Sequence, residues 1–189
     1  MSVLARPSPS RSGRAPLGAG ARLIILSGQS CVGKTSLSRT LCRLIGAVHL
    51  RVDTIEGVLK DGGVFEDMAD AGYRISYGIA ADNLAAGHSV VADQVNPIPL
   101  TRAAWQGVAE AAGVPYCHIL VVCSNRAEWR RRTLAREGAA HWERIKARTF
   151  VPFTPDFEID TASRSPEMAA REAAEHLGFR QGASGSGSG

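Results

Sequence analysis

Short apolar runs alternate with helix-period stretches along this chain. Leu23–Ser27 (LIILS) is an uninterrupted apolar run, the pattern of a strand buried on both faces. A glycine-bearing loop, Gly28–Gly33, follows it, and then Lys34–Ile45 places Leu37, Leu41, Leu44 and Ile45 at helical spacing. The alternation continues. Strands are predicted over Ala47–Val52, Ser89–Ala92, Tyr116–Cys123 and Phe157–Asp160. Helices are predicted over Ala69–Ala86, with Ile75, Ile79 and Leu84 apolar, and over Pro99–Ala112, around Trp105 and Val108. An Arg-rich helix over Arg126–Arg136, another over Trp142–Arg148 and a closing one over Pro166–Leu177 complete the pattern. Ser165 is the expected N-cap of the last, with Pro166 at its first position. Strands alternating with helices predict an α/β fold, a parallel sheet covered on both faces. Ligands of such sheets bind beyond the carboxyl ends of the strands.

The periodic part spans about residues 21–180, within a chain of 189. Residues 1–20 are rich in Arg, Ser, Pro and Gly, and residues 181–189 end in GASGSGSG, a linker composition. Both read as tails around one domain. The composition, 44% hydrophobic and 21% charged, is that of a globular chain. No apolar run is long enough to span a bilayer, so no membrane partner is expected. The four cysteines form no CxxC pair and no zinc pattern, so a reducing, cytoplasmic setting is the default. The formal charge of +4 first suggests a polyanion partner. Yet Arg6, Arg11 and Arg14 fall in the first tail without an acid, leaving +1 for the rest. That lowers the weight of nucleic acid as a partner.

Gly28-Gln29-Ser30-Cys31-Val32-Gly33-Lys34-Thr35, followed by Ser36, fits the phosphate-loop pattern GxxxxGK[ST] without mismatch. It also stands in the required context, after a strand and opening a helix. Gly28 and Gly33 permit the tight turn whose N–H groups, with the helix N-terminus, cradle phosphates. Lys34 reaches the terminal phosphates and Thr35 ligates Mg²⁺. Cys31 lies near the helix N-terminus, a setting that lowers a thiol pKa. A small loop filler is favoured over a catalytic thiol there, because no base neighbours it in sequence.

The other strand ends decide which kind of phosphate-loop protein this is. A guanine-specific NKxD motif is absent, and the third strand ends in Asp93-Gln94 rather than Asp-Glu. Transfer to a hydroxyl therefore stands ahead of hydrolysis. Asp53, beyond the second strand, is the candidate base for an acceptor hydroxyl. The alternative is an N-cap role for Asp53 with Glu56 three residues on. Arg51 is a candidate for binding acceptor or phosphate. Asp93 is a candidate for magnesium or an acceptor hydroxyl. Asn96 and Arg102 are further acceptor candidates, although Asn96-Pro97 also reads as a plain turn. Trp105 reads as core. Of the five arginines between Arg126 and Arg136, Arg132 and Arg136 share one helix face with Glu128 and are the candidates for stabilising transferred charge. Gly138 is the candidate hinge behind them.

The chain resembles the small phosphate-loop kinases of the predicted-kinase AAA-type family, related to chloramphenicol phosphotransferase, zeta-toxin kinases, gluconate kinase and the kinase domain of polynucleotide kinase. The resemblance rests on GQSCVGKT, RVDTIE, ADQVNP with TRAAW, CSNRAEWRRR and IDTASRSPE, and covers about residues 22–178. It implies a five-stranded parallel sheet in the order 2-3-1-4-5, ATP with Mg²⁺, a general base at Asp53 and lid arginines at Arg132 and Arg136. It also implies that Asp93 and Asn96 match the polynucleotide-kinase segment after the third strand. Arg51 stands where shikimate- and gluconate-type kinases tend to carry an acid, and the shikimate kinase glycine triplet is absent. Those departures argue against those two acceptors.

The expectation is an ATP-dependent phosphotransferase acting on a hydroxyl of a small molecule, such as a sugar, nucleoside or antibiotic, with a possible resistance role. A nucleic-acid 5′-hydroxyl kinase and a regulatory nucleotide-binding module without an acceptor are the alternatives. A homodimer built on exposed Trp or Phe side chains is a further expectation.

Overall fold

The computed structural model describes residues 20–63 and 70–179. The two expected tails, apart from Gly20, lie outside the described residues, as do residue 69 at the start of the helix predicted over 69–86 and residue 180. Five strands form one sheet: β1 (Leu23–Ser27), β2 (Val48–Arg51), β3 (Val90–Asp93), β4 (Tyr116–Val122) and β5 (Phe157–Asp160). Every pairing is parallel and the order is β2-β3-β1-β4-β5. Seven helices connect or flank them among the described residues: α1 (Lys34–Ile45), α2 (Val52–Asp61), α3 (Ala71–Ala85), α4 (Pro99–Ala111), α5 (Arg126–Glu137), α6 (Ala139–Ala147) and α7 (Pro166–His176).

The sheet has two cores because successive strand residues point to opposite faces. Ile24 and Leu26 face α1 and α7, against Leu37, Leu41, Ala170, Ala173 and Leu177. Leu23 and Ile25 face α3 and α4, against Ala80, Leu84, Trp105 and Ala109. All five residues of β1 are buried, as a central parallel strand requires. Ser165 caps α7 by accepting a hydrogen bond from the Met168 N–H, as the sequence predicts.

Some sequence expectations fail on particular faces. The buried face of α3 is Ala71, Gly72, Ser76, Ala80 and Leu84. Ile75 and Ile79 lie on its outer side, each more than a third exposed. Small residues serve at the buried face because α3 lies close to the sheet and to α2. Leu44 is likewise exposed on α1. Among the described residues the three tryptophans and the phenylalanines are buried or half-buried. Among the described residues no helix is long and apolar enough to cross a membrane.

Candidate active site

The carboxyl ends of β1, β2 and β3 open into a cleft of about 850 Å³. Ser30, Cys31, Gly33, Lys34, Thr35 and Ser36 form one wall, and Arg51, Asp53 and Glu56 come from the end of β2 and the start of α2. Asp93 and Gln94 end β3, while Arg132 and Arg136 overhang from α5.

The loop before α1 has the geometry of an anion cradle. Cys31 has φ 63, Gly28 φ 148 and Gly33 φ 103. A Cβ at Gly28 would stand 2.2 Å from the Val121 carbonyl oxygen, so no other residue fits there. The Gly28 N–H is not free for a ligand: it donates to the Val95 carbonyl at 3.1 Å, which locks the loop to the segment after β3. Gln29 and Val32 also stand outside the cleft wall and contribute backbone to the loop. The loop is held from behind as well. Trp129 Nε1 donates to the Ser30 carbonyl at 2.8 Å. The Thr161 hydroxyl donates to the Val32 carbonyl and accepts from Arg132 Nη1 at 2.9 Å.

Lys34 is 7% exposed, and its Nζ donates to the Gln29 carbonyl at 2.8 Å. Burial pushes its pKa down, against the opposing pull of Asp93 and Asp53. Such a cation needs a counter-anion. Cys31 departs from expectation: its thiol pKa is raised, because burial outweighs the lowering influence of Thr133, Arg136 and Lys34. A raised thiol pKa is the opposite of what activates a cysteine nucleophile.

Asp93 is 2% exposed. Burial alone would raise its pKa, but His49, Lys34 and Thr35 together hold it below the usual carboxylate value. His49 Nε2 lies 3.3 Å from Asp93 Oδ2, and Arg51 Nε lies 4.0 Å from the same oxygen. Asp93 is thus an ionised carboxylate beside the Thr35 hydroxyl. Among the described residues no three His, Cys, Asp or Glu gather as a metal cluster. Thr35 and Asp93 are two oxygen donors suited to a hard cation that completes its shell with phosphate and water.

Asp53 does not cap α2. The helix begins at Val52, its N-cap position is Arg51, and no side chain caps it. Asp53 instead lies in the first turn, 55% exposed, with Oδ2 2.8 Å from Arg51 Nη2. Glu56 is one turn further on, half-buried in the cleft wall. Burial and then the Asp53 charge raise its pKa, against Lys60 and Arg148. A carboxyl whose native pKa is raised costs stability as pH climbs through its ordinary value and on through the raised one. Below both values it costs nothing. Glu56→Gln is therefore expected to melt above the native protein at pH 7, with the gap closing near about pH 4. Thermal melts across that range check it, and a lower melting temperature at pH 7 contradicts it.

Arg132 and Arg136 both line the cleft. Glu128 Oε1 accepts from Arg132 Nε at 2.7 Å, one helical turn away. Hydrogen bonds from Arg131 and Arg132 hold the Glu128 carboxyl down at about 2. Arg136 pairs with the adjacent Glu137, at 2.9 Å, and its charge is felt at both Lys34 and Cys31. Gly138, with φ 80, separates α5 from α6.

Two predicted acceptor residues are not in the cleft wall. Asn96 is fully buried, with φ 49, and its Nδ2 donates to the Leu26 carbonyl and to Ser27 Oγ. Arg102 is 6% exposed, donates to the Asn96 carbonyl at 2.9 Å and lies over the Phe153 ring. They brace the segment after β3 from behind rather than meeting a ligand. Lys60 and Tyr73, from the stretch between Glu56 and Ala81 where the sequence places the acceptor-choosing residues, also line the cleft, as do Gln94, His141 and Arg148. Of the last three, Gln94, beside Asp93 at a strand end, carries a positional signal.

A family model described as an AAA domain (AAA_33) matches residues 23–152. The chain belongs to this AAA-domain family. No curated protein sequence matches it. Among solved structures, this family member is similar to the APS kinase of Mycobacterium tuberculosis in complex with AMPPNP and APS, with TM-score 0.69 and 22% identity. That match covers 84% of this chain and 98% of the other. A gluconokinase from Sinorhizobium meliloti matches with TM-score 0.59 and 16% identity, over 84% of this chain and 91% of its own. The tunicamycin resistance protein of Deinococcus radiodurans matches with TM-score 0.59 and 16% identity, over 85% and 97%. At these identities the likeness is one of fold. This AAA-domain protein has the fold of the small phosphate-loop kinases.

Proposed function

We propose that the protein is an ATP-dependent phosphotransferase that acts on a hydroxyl of a small molecule. The observation that carries this reading is one cleft holding both halves of the chemistry. A strained, glycine-dependent anion loop with a buried lysine stands on one side, and an exposed carboxylate, Asp53, stands on the other. Asp53 receives the proton of the acceptor hydroxyl as its oxygen bonds to the γ-phosphorus and the bond to ADP breaks. Lys34 and Arg136 neutralise the charge on the phosphoryl group in flight. Arg132, tied to Glu128 and Thr161, fixes the position of α5 over the loop. Mg²⁺, when bound with the nucleotide, supplies charge neutralisation at the phosphates, and Thr35 and Asp93 are the residues to hold it. The fold neighbours include a kinase bound to AMPPNP, which supports nucleotide at this loop.

A transfer assay with labelled ATP against pooled sugars, nucleosides, hydroxylated antibiotics and oligonucleotides tests the reading. Label is expected on a small hydroxyl compound. Label on oligonucleotide ends, inhibited steeply by salt, favours the end-kinase alternative instead. ATP binding with no acceptor anywhere in the pools favours a regulatory module.

A further inference from the structure

Among the described residues, an amide and a carboxylate of the cleft wall, both away from the phosphate loop, stand without a hydrogen-bond partner. Gln94 is 2% exposed, and neither its Nε2 nor its Oε1 makes a hydrogen bond. A sealed amide with both ends unpaired is rare in native proteins and asks for an explanation. Glu56 is the second: among the described residues it makes neither a hydrogen bond nor an ion pair within 4.0 Å, although it lines the same cleft. Packing against α3 holds its stem. A Cβ at Gly72 would stand 2.4 Å from Glu56 Cγ, so the Glu56 stem occupies the space that glycine leaves open on α3. The adjacent Tyr73 also lines the cleft, and it reaches the backbone of Asn96, two residues beyond Gln94. Tyr73 thereby joins the Glu56 side of the cleft to the segment carrying Gln94.

We propose that Glu56 and Gln94 form the recognition subsite for the acceptor, and that this acceptor is an uncharged molecule carrying two neighbouring hydroxyls beside the one that is phosphorylated. The proposal rests on the phosphotransfer reading above and names its substrate class. An ionised carboxylate only accepts hydrogen bonds and has two oxygens to offer. A vicinal diol presents two O–H donors to match. The Gln94 amide both donates and accepts, as does a hydroxyl group, so one diol oxygen satisfies either end of the amide. An anionic acceptor would add to the charges of Asp53 and Glu56. Arg51 is already engaged by Asp53, and Lys60 and Arg148, exposed at the rim, already offset the Glu56 charge. A neutral diol makes no demand on those cations.

The test uses the full chain with AMPPNP bound and reads acceptor affinity by calorimetry, and separately reads ADP formation with ATP. The probes are uridine and methyl riboside, each against its 2-deoxy counterpart, and methyl glucoside against methyl glucuronide. The diol member of at least one riboside pair is expected to bind about tenfold or more tightly than its deoxy partner, the span that loss of one well-placed hydrogen bond produces. The neutral glucoside is expected to bind better than the glucuronide. Glu56→Leu and Gln94→Leu should each erase the diol preference while AMPPNP affinity stays within about twofold. Gly72→Ala, which displaces Glu56, should act like Glu56→Leu. The proposal is overturned if no diol-bearing probe binds, if deoxy or anionic probes bind equally well, or if the variants weaken AMPPNP instead. A diol that binds without ADP formation leaves the subsite standing and defeats the phosphotransfer reading. ADP formation driven equally by deoxy and diol probes does the reverse.

Discussion

Asp53→Asn is expected to lower phosphoryl transfer by about 10²–10⁴-fold, the usual contribution of a positioned general base. Nucleotide affinity should stay within about twofold. The geometry makes this a clean substitution. Asparagine keeps the shape of the side chain, but its amide cannot take a proton from a hydroxyl. Asp53 makes no capping hydrogen bond, so the change removes no cap from α2. What it does remove is an acid in the first turn of a helix and an exposed ion pair with Arg51. Each is worth at most about 1 kcal/mol, and less in salt. The melting temperature should therefore shift by only a few degrees while turnover collapses. A large loss of stability, or of ATP affinity, with turnover little changed would contradict a base role. Rate and nucleotide affinity must be measured on the same preparation, because Arg51 also approaches Asp93 and a freed guanidinium shifts the field at that carboxylate.

Much of this arrangement was legible in the sequence because it depends on local chemistry. The phosphate loop is contiguous, so Gly28, Gly33, Lys34 and Thr35 announce themselves by spacing alone. The alternation of apolar runs and helical stretches likewise yields the parallel sheet, since parallel strands buried on both faces must be apolar throughout. What escaped depends on contacts between distant segments. Asn96 and Arg102 sit after a strand end, where ligands bind, yet the chain turns them inward to brace Leu26, Ser27 and the Asn96 carbonyl itself. The contact that holds the Glu56 stem is with Gly72, sixteen residues on and on another helix, and no local pattern announces it. Trp129 was one letter in an arginine cluster, and nothing local reveals an indole N–H aimed at Ser30 of the loop. The Cys31 thiol shows the same limit. Its place near a helix N-terminus predicts a low pKa, but desolvation by surrounding segments outweighs that pull.

Lys34→Met should have the other large effect, and its signature differs from that of Asp53. Turnover is expected to fall by about 10²–10³-fold or more, as when one preorganised charge donor to a transition state is removed. Binding of the terminal phosphate should weaken as well, so ATP loses its advantage over ADP. Stability should move the opposite way. Lys34 is buried, and desolvation lowers its pKa in spite of Asp93 and Asp53. The native state therefore holds its proton less tightly than the unfolded chain, and stability rises with pH between the two pKa values. Below both values the full penalty of burying the charge is present. Methionine fills much the same volume without it. Asp93 loses a counter-charge in the exchange, but His49, Thr35 and Arg51 remain beside it. The variant is thus expected to melt no lower than the native protein while being nearly inactive. Calorimetric melts at pH 7, paired with ADP-formation rates, check both halves. Turnover that survives the substitution defeats the phosphate-loop assignment. A marked drop in melting temperature together with lost turnover shows instead that Lys34 is needed to hold Asp93 and the loop in place.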